Sequence, residues 1–240
     1  MLELQKVLWL TLKIAALGVV PYKTWTYFYN VYREEEQSYQ DKLLHKKRHD
    51  CVVMFSPGKG HTGWCETQET NLNINTIKWL YEPFLYFIDT AKESLDVAIM
   101  SINVDCIIKS LISASKKGVK VRVISDFFMN KKSYDYYKEM EKYGIQITFY
   151  VPKENFSYMH TKYIVKDFNI DGAGYLLTGS FNLTYGAFSN NYEDVVFTSQ
   201  RQMVEDFQNN FSTIWGTFRD DNQQVFNRHI LENAGFSLPS

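Results

Sequence analysis

Residues 95–151 read LDVAIMSINVDCIIKSLISASKKGVKVRVISDFFMNKKSYDYYKEMEKYGIQITFYV, and they decide the fold class. LDVAIMS (95–101), VKVRVIS (119–125) and IQITFYV (145–151) are short and rich in β-branched residues, which predicts three strands. In the second, Val119, Val121 and Val123 alternate with Lys120 and Arg122, the period of a strand. Asp105 is placed to cap a helix running to Lys117 and closed by Gly118, and Ser133 to cap a second ending at Gly144. Strand, helix, strand, helix, strand with connections of this length predicts right-handed βαβ units and parallel pairing. The expected class is α/β, a mixed, largely parallel β-sheet flanked by helices.

Outward from that block, CVVMF (51–55) reads as a strand stopped by Ser56-Pro57-Gly58. Residues 74–93 carry apolar side chains at helical spacing, with Pro83 expected to kink or split the helix. GYLLTGS (174–180) and DVVFTS (194–199) read as further strands. Residues 201–216 form an amphipathic helix with Met203, Val204, Phe207, Phe211, Ile214 and Trp215 on its inner face.

At the N-terminus, residues 7–29 are mostly apolar and as a helix would measure about 34 Å, enough for a bilayer core. Trp25, Tyr27 and Tyr29 suit an interfacial belt, and no small-residue cleavage site follows, so a signal anchor is expected. The basic cluster DKLLHKKR (41–48) lies beyond the span, which places the bulk of the chain on the cytosolic side. The expected organisation is a membrane anchor over 1–30, a polar basic linker over 31–50 and a folded domain over 51–240.

Composition excludes little but narrows the search. The formal net charge is −1, so no global basic field advertises nucleic acid, and any anion site must be local. Cys51, Cys65 and Cys106 are too few for a disulfide framework and point to a reducing compartment. The glycine-rich GKGHTGWCE (58–66) lacks the P-loop pattern. Cys51, His61 and Cys65 form an incomplete zinc set, with His49, Asp50 or Glu66 as the available fourth ligand and a simple thiol as the alternative.

Chemistry concentrates in 158–198, YMHTKYIVKDFNIDGAGYLLTGSFNLTYGAFSNNYEDVVFT. If the start of this stretch is extended, His160 and Lys162 share one face. An imidazole that can attack or move a proton, beside a fixed cation that can hold anionic oxygens, suits a phosphodiester.

His160, Lys162 and Asp167 meet the pattern H-x-K-x-x-x-x-D, Gly179, Ser180, Phe181 and Asn182 meet G-S-x-N, and Glu193 follows in N-N-Y-E. Together these resemble the HKD motif of the phospholipase D superfamily. The interval between Asp167 and Gly179 is longer than usual, and Asp171-Gly172-Ala173-Gly174 reads as the turn that absorbs it. One HKD motif, a short chain and an N-terminal anchor look most like the mitochondrial phospholipase D-like branch, Zucchini. That branch carries a cysteine-rich zinc finger, which three cysteines do not complete.

The resemblance implies a homodimer, because one motif supplies one of two histidines and a two-fold axis supplies the other. It implies that one His160 forms a phosphohistidine while the other protonates the leaving oxygen and then activates water. Lys162, Asn182 and Ser180 would hold the phosphoryl oxygens, Glu193 would orient the imidazole, and Asp167 would hold the motif loop. No cofactor is implied, and no metal is needed for these steps. The substrate implied first is single-stranded RNA, cut to leave 5′-phosphate ends in piRNA biogenesis at the mitochondrial surface beside piRNA-pathway proteins. Cardiolipin, hydrolysed to phosphatidate, is the alternative, and a non-enzymatic adaptor a third. For RNA, the groove candidates are Lys120, Arg122, Lys131, Lys132 and Lys153, with Phe156 and Tyr158 for base stacking.

Overall fold

The computed structural model describes the backbone of residues 2–49, 51–57, 74–153, 157–189 and 191–236, and their side chains except at 2, 42–57 and 74–80. Its contacts divide the chain into two units, Met1–Arg48 and His49–Ser240.

The first unit is helical: α1 (Leu2–Ile14), a π-helical turn (Ala15–Val19) and α2 (Val20–His49). Pro21 lacks an N–H and crowds the turn before it. The π turn takes up that mismatch, with the Val20 N–H reaching back five residues to the Ala15 carbonyl. Leu8, Leu12, Leu17, Val20, Trp25 and Tyr27 are all exposed. The stretch Glu3–Asp41 is long and apolar enough, by length and composition, to cross a membrane. Residues 31–49, read from sequence as a linker, continue α2. Their Glu, Gln, Lys and Arg side chains are good helix formers, and Gln37–Asp41 and Gln40–Glu36 bond one turn apart.

Among the described residues the second unit holds seven strands: β1 (Cys51–Pro57), β2 (Ser94–Ile99), β3 (Lys120–Asp126), β4 (Gln146–Tyr150), β5 (Lys162–Lys166), β6 (Tyr175–Gly179) and β7 (Tyr192–Thr198). The helices are α3 (Ile74–Asp89), α4 (Asp105–Lys116), α5 (Tyr134–Lys142), α6 (Tyr185–Ser189), α7 (Arg201–Gln223) and α8 (Val225–Asn233), with a 3-10 turn at Phe128–Ser133. The strands form one sheet in the order β1-β7-β6-β5-β2-β3-β4.

The mixed α/β class is as expected, but the sheet is not largely parallel. Only β2–β3 and β3–β4 pair in parallel, and the other four pairs are antiparallel. The reason lies in the connections. Helices α4 and α5 carry the chain back across the sheet between β2, β3 and β4, whereas β5 to β6 turns directly and β6 to β7 passes only the five-residue α6.

Local signals fare variously. Gly118 and Gly144 close α4 and α5 at φ 93° and 83°, where a side chain would be strained. Asp105 opens α4 as its first residue, with Val104 in the cap position. Ser133 makes no side-chain cap, because the 3-10 turn already leads into α5. Pro83 lies inside an unbroken α3.

Alternation along the strands builds two cores. Val97, Ile99, Val121, Val123, Ile164, Leu177 and Phe197 pack with α3, α4 and α5 on one face. Ala98, Ile124, Tyr163, Val165 and Leu176 pack with Val204, Phe211 and Trp215 of α7 on the other.

Lys166 is fully buried in this frame. Lys166 donates to Thr90 Oγ1 at 3.1 Å and lies 4.4 Å from the Phe87 ring centroid. Burial draws its pKa from 10.5 down to about 7, opposed by Asp167 and reinforced by Lys92. The unfolded chain therefore holds this proton to higher pH than the folded one. Stability from the site is full above the unfolded value and is lost as pH falls through about 7. Lys166→Met is expected to be more stable than wild type at pH 7, by about 1 kcal/mol or more, with the gap shrinking towards pH 10. Denaturant unfolding at pH 7 and 9.5 checks it, and a gap that ignores pH refutes it.

Candidate active site

The sheet order places the motif. Ile99 at the end of β2 pairs with Lys162 at the start of β5, and Ser125 and Asp126 end β3 beside Phe149 and Tyr150 of β4. The His160–Lys162 end of β5 therefore lies at the carboxyl ends of the three parallel strands, where open α/β sheets place ligands. Strand β6 ends at Gly179 opposite Val195, which brings Ser180 beside Asp194 at the same rim.

His160 is exposed, on the rim just before β5, next to the buried Met159. It is not one strand alternation from Lys162, because β5 begins at Lys162 itself. The two meet differently. The Lys162 side chain turns back, and its Nζ donates to the His160 carbonyl at 2.6 Å. Lys162 is buried, which draws its pKa down, while the Glu193 carboxylate opposes that shift.

Ser180 and Glu193 are bonded to each other. The Ser180 hydroxyl donates to Glu193 Oε2 and accepts from the Asp194 N–H at 2.9 Å, and Asn191 Nδ2 donates to Glu193 Oε1 at 2.8 Å. Within one chain Glu193 thus holds Ser180 and biases Lys162, rather than hydrogen-bonding the imidazole. Asn182 directs a buried Oδ1 that has no hydrogen-bond partner among the described residues. Its loop is pinned next door, where the Leu183 N–H donates to the Ser101 carbonyl at 3.1 Å and the Asn103 N–H to the Leu183 carbonyl at 2.9 Å.

Asp167 lies at the opposite end of β5, roughly 20 Å away at the rise of a strand. It sits at φ 52°, and its carboxylate accepts the N–H groups of Lys92 (3.0 Å), Glu93 (2.8 Å) and Ser94 (3.1 Å). It ties the end of β5 to the start of β2 and stands apart from the other five.

The expected cationic groove disperses. Arg122 is bonded through Nε and Nη2 to Asp96 at 2.7 and 2.6 Å and lies against the Phe211 and Trp215 rings. Lys120 pairs with Ser94, at the Asp167 end of the sheet. Lys153 faces Asp221 at 3.9 Å. Lys131 and Lys132 remain exposed on the 3-10 turn, and Tyr158 is exposed beside the His160 loop. Phe156, and the side chains of Cys51, His61 and Cys65, lie outside the described residues, so the zinc set is not tested by position.

Sequence reasoning passed over Asp126. It ends a strand at the ligand-binding edge of a βαβ block, which is itself a usable signal.

A family model described as "Cardiolipin synthase, PLD-like domain" matches residues 84–215, which include all six motif residues. The mitochondrial cardiolipin hydrolase of Chlamydomonas reinhardtii is 29% identical over 166 residues, 68% of this chain and 66% of that protein. The mitochondrial cardiolipin hydrolase of Homo sapiens is 28% identical over 136 residues, 57% of this chain and 51% of that protein. The chain thus spans between about half and two thirds of these curated relatives. Among solved structures, the phospholipase D family member Nuc from Salmonella typhimurium superposes with a TM-score of 0.52 at 26% identity, over 70% of this chain and 94% of that one. With a family match over residues 84–215, which takes in β2 to β7, the motif residues and the first two thirds or so of α7, the chain belongs to the phospholipase D superfamily and is similar to its mitochondrial branch.

Proposed function

We propose that this chain is a phosphodiesterase of the hydrolase type, that a second copy completes its site, and that its substrate is the membrane phospholipid cardiolipin. The observation that carries the chemistry is the gathering of exposed His160, buried Lys162, the Ser180–Glu193 pair and Asn182, whose Nδ2 is the donor end of its carboxamide, on one rim of the sheet. One His160 attacks phosphorus, and the imidazole of the second copy protonates the departing glycerol oxygen. Water then cleaves the phosphohistidine, so cardiolipin and water yield phosphatidate and phosphatidylglycerol. Lys162 and Asn182 hold the phosphoryl oxygens. The imidazoles do the bond-making and proton transfer, so turnover is expected to persist in EDTA.

Two features favour the lipid. Relatives bear the name mitochondrial cardiolipin hydrolase, and the chain carries an exposed apolar helix long enough to hold the site at a membrane. The proposed location is the mitochondrial outer membrane, with the 51–240 domain on the cytosolic side of an anchor at 1–30. The second reading is a single-strand endoribonuclease of the piRNA pathway. It is favoured by Lys131, Lys132 and Tyr158, with Lys131 4.7 Å from the Phe128 ring centroid.

The experiment is to incubate the full-length chain, in EDTA, with cardiolipin vesicles and with 5′-labelled single-stranded RNA. Phosphatidate release without RNA cleavage is the expected result. RNA cleavage with 5′-phosphate ends and inert cardiolipin moves the assignment to the second reading, and turnover of neither refutes both.

A further inference from the structure

Two backbone N–H groups far apart in sequence end on one buried carboxylate. Asp126, the last residue of β3, is fully buried. Its Oδ1 accepts the Met129 N–H and its Oδ2 the Met159 N–H, each at 3.0 Å. Met129 belongs to the 3-10 turn, and Met159 is the residue directly before His160.

The carboxylate is itself held from behind. The Asp126 carbonyl accepts Asn130 Nδ2 at 2.6 Å, and its N–H donates to the Met100 carbonyl at 3.4 Å. Asn130 is also fully buried, donates to the Met100 carbonyl at 2.8 Å and accepts the Ser101 hydroxyl at 2.9 Å. Ser101 in turn accepts the Leu183 N–H beside Asn182. One hydrogen-bonded frame therefore runs from the His160 loop through the ends of β3 and β2 to the Asn182 loop.

We infer that Asp126 is the positioning residue for His160. The N–H of Met159, one residue before His160, is fixed by Asp126 and the carbonyl of His160 itself by Lys162 Nζ, so the backbone is clamped on either side of the nucleophile's side chain. The segment leading into it, 151–161, has no regular secondary structure where it is described. A loop of that kind depends on side-chain anchors to hold a reacting atom in place, and a displacement of about 1 Å can cost about 10²-fold in rate. The inference rests on His160 acting as proposed above.

Asp126→Asn is nearly isosteric and keeps one oxygen acceptor, but turns an NH2 group towards the other N–H. Met159→Pro deletes the same hydrogen bond from the opposite partner and leaves the buried carboxylate in place. Both are made in the full-length chain with bis(4-nitrophenyl) phosphate as the probe, a phosphodiester that is neither lipid nor RNA. Its good leaving group departs without protonation by the second imidazole. The expected result, per folded molecule, is a kcat lower by about 10- to 100-fold with KM within about twofold. A purely structural role predicts a lower melting temperature with kcat intact. Wild-type kcat in either folded variant overturns the inference. His160→Asn is measured in parallel: if it retains turnover, the catalytic reading itself fails, whereas a dead His160→Asn beside a fully active Asp126→Asn rejects the positioning role alone.

Discussion

His160→Asn is expected to lower phosphodiester turnover by about 10⁴-fold or more, because it removes the nucleophile and the proton donor together. Asn approximates the shape of the ring and cannot form the phosphoenzyme or carry a proton. His160 is exposed, and its side chain supports no core cluster, so the variant is expected to melt with the wild type. Mixing gives a sharper outcome. If two copies share one site, a mixed dimer has one imidazole, and an alkoxide leaving group departs slowly without the second. In random mixtures activity then follows the square of the wild-type fraction, so an equal mixture retains about a quarter of the activity where independent chains would retain about half. Co-expressed, separately tagged chains give the readout, with cardiolipin vesicles as substrate. A linear dependence on the wild-type fraction removes the shared site, and an active homogeneous His160→Asn removes the mechanism.

What could be read beforehand followed from how local each signal is. The β2-α4-β3-α5-β4 block was legible because strand alternation, Gly118 and Gly144 act within a few residues. The antiparallel half required the connections to be weighed: direct turns around β5, β6 and β7 set their direction, whatever the residues in the strands. Residues 31–50 read as a linker because their charge suggests irregularity, although the same side chains favour helix and α2 runs to His49. Arg122 looked like a groove cation until the register set Asp96 directly across from it. Ser180 and Glu193 were legible as site residues, but their bond to each other was not, since it arises from strand pairing across 13 positions. Asp126 carries no motif. Its meaning comes from a bond to a residue 33 positions away, which no local pattern announces.

Gly179→Ala is expected to be the most damaging glycine-to-alanine change among the described residues. A Cβ at this position meets the Asp194 carbonyl oxygen head on, with Val195 Cα at 2.8 Å and Asp194 C at 2.9 Å. All three are backbone atoms of β7, which is held on its other edge by β1, so no side chain can swing aside. The strands must part, and overpacking against backbone costs about 3 kcal/mol or more. For a domain of this size that lowers the melting temperature by roughly 6–12 °C. The cost also falls on the site. Separating β6 from β7 pulls Ser180 from Glu193 and from the Asp194 N–H, the contacts that hold this side of the rim. Turnover per folded molecule is therefore expected to drop along with stability. Gly216→Ala is the matched control, since nothing lies within 4 Å of its added Cβ and the position is interior to α7. There the methyl favours helix by about 0.5–1 kcal/mol and should raise the melting temperature slightly with activity intact. If Gly179→Ala melts with the wild type and turns over normally, the glycine of the G-S-x-N segment is not required by strand contact, and the close approach of β6 to β7 must be abandoned as its reason.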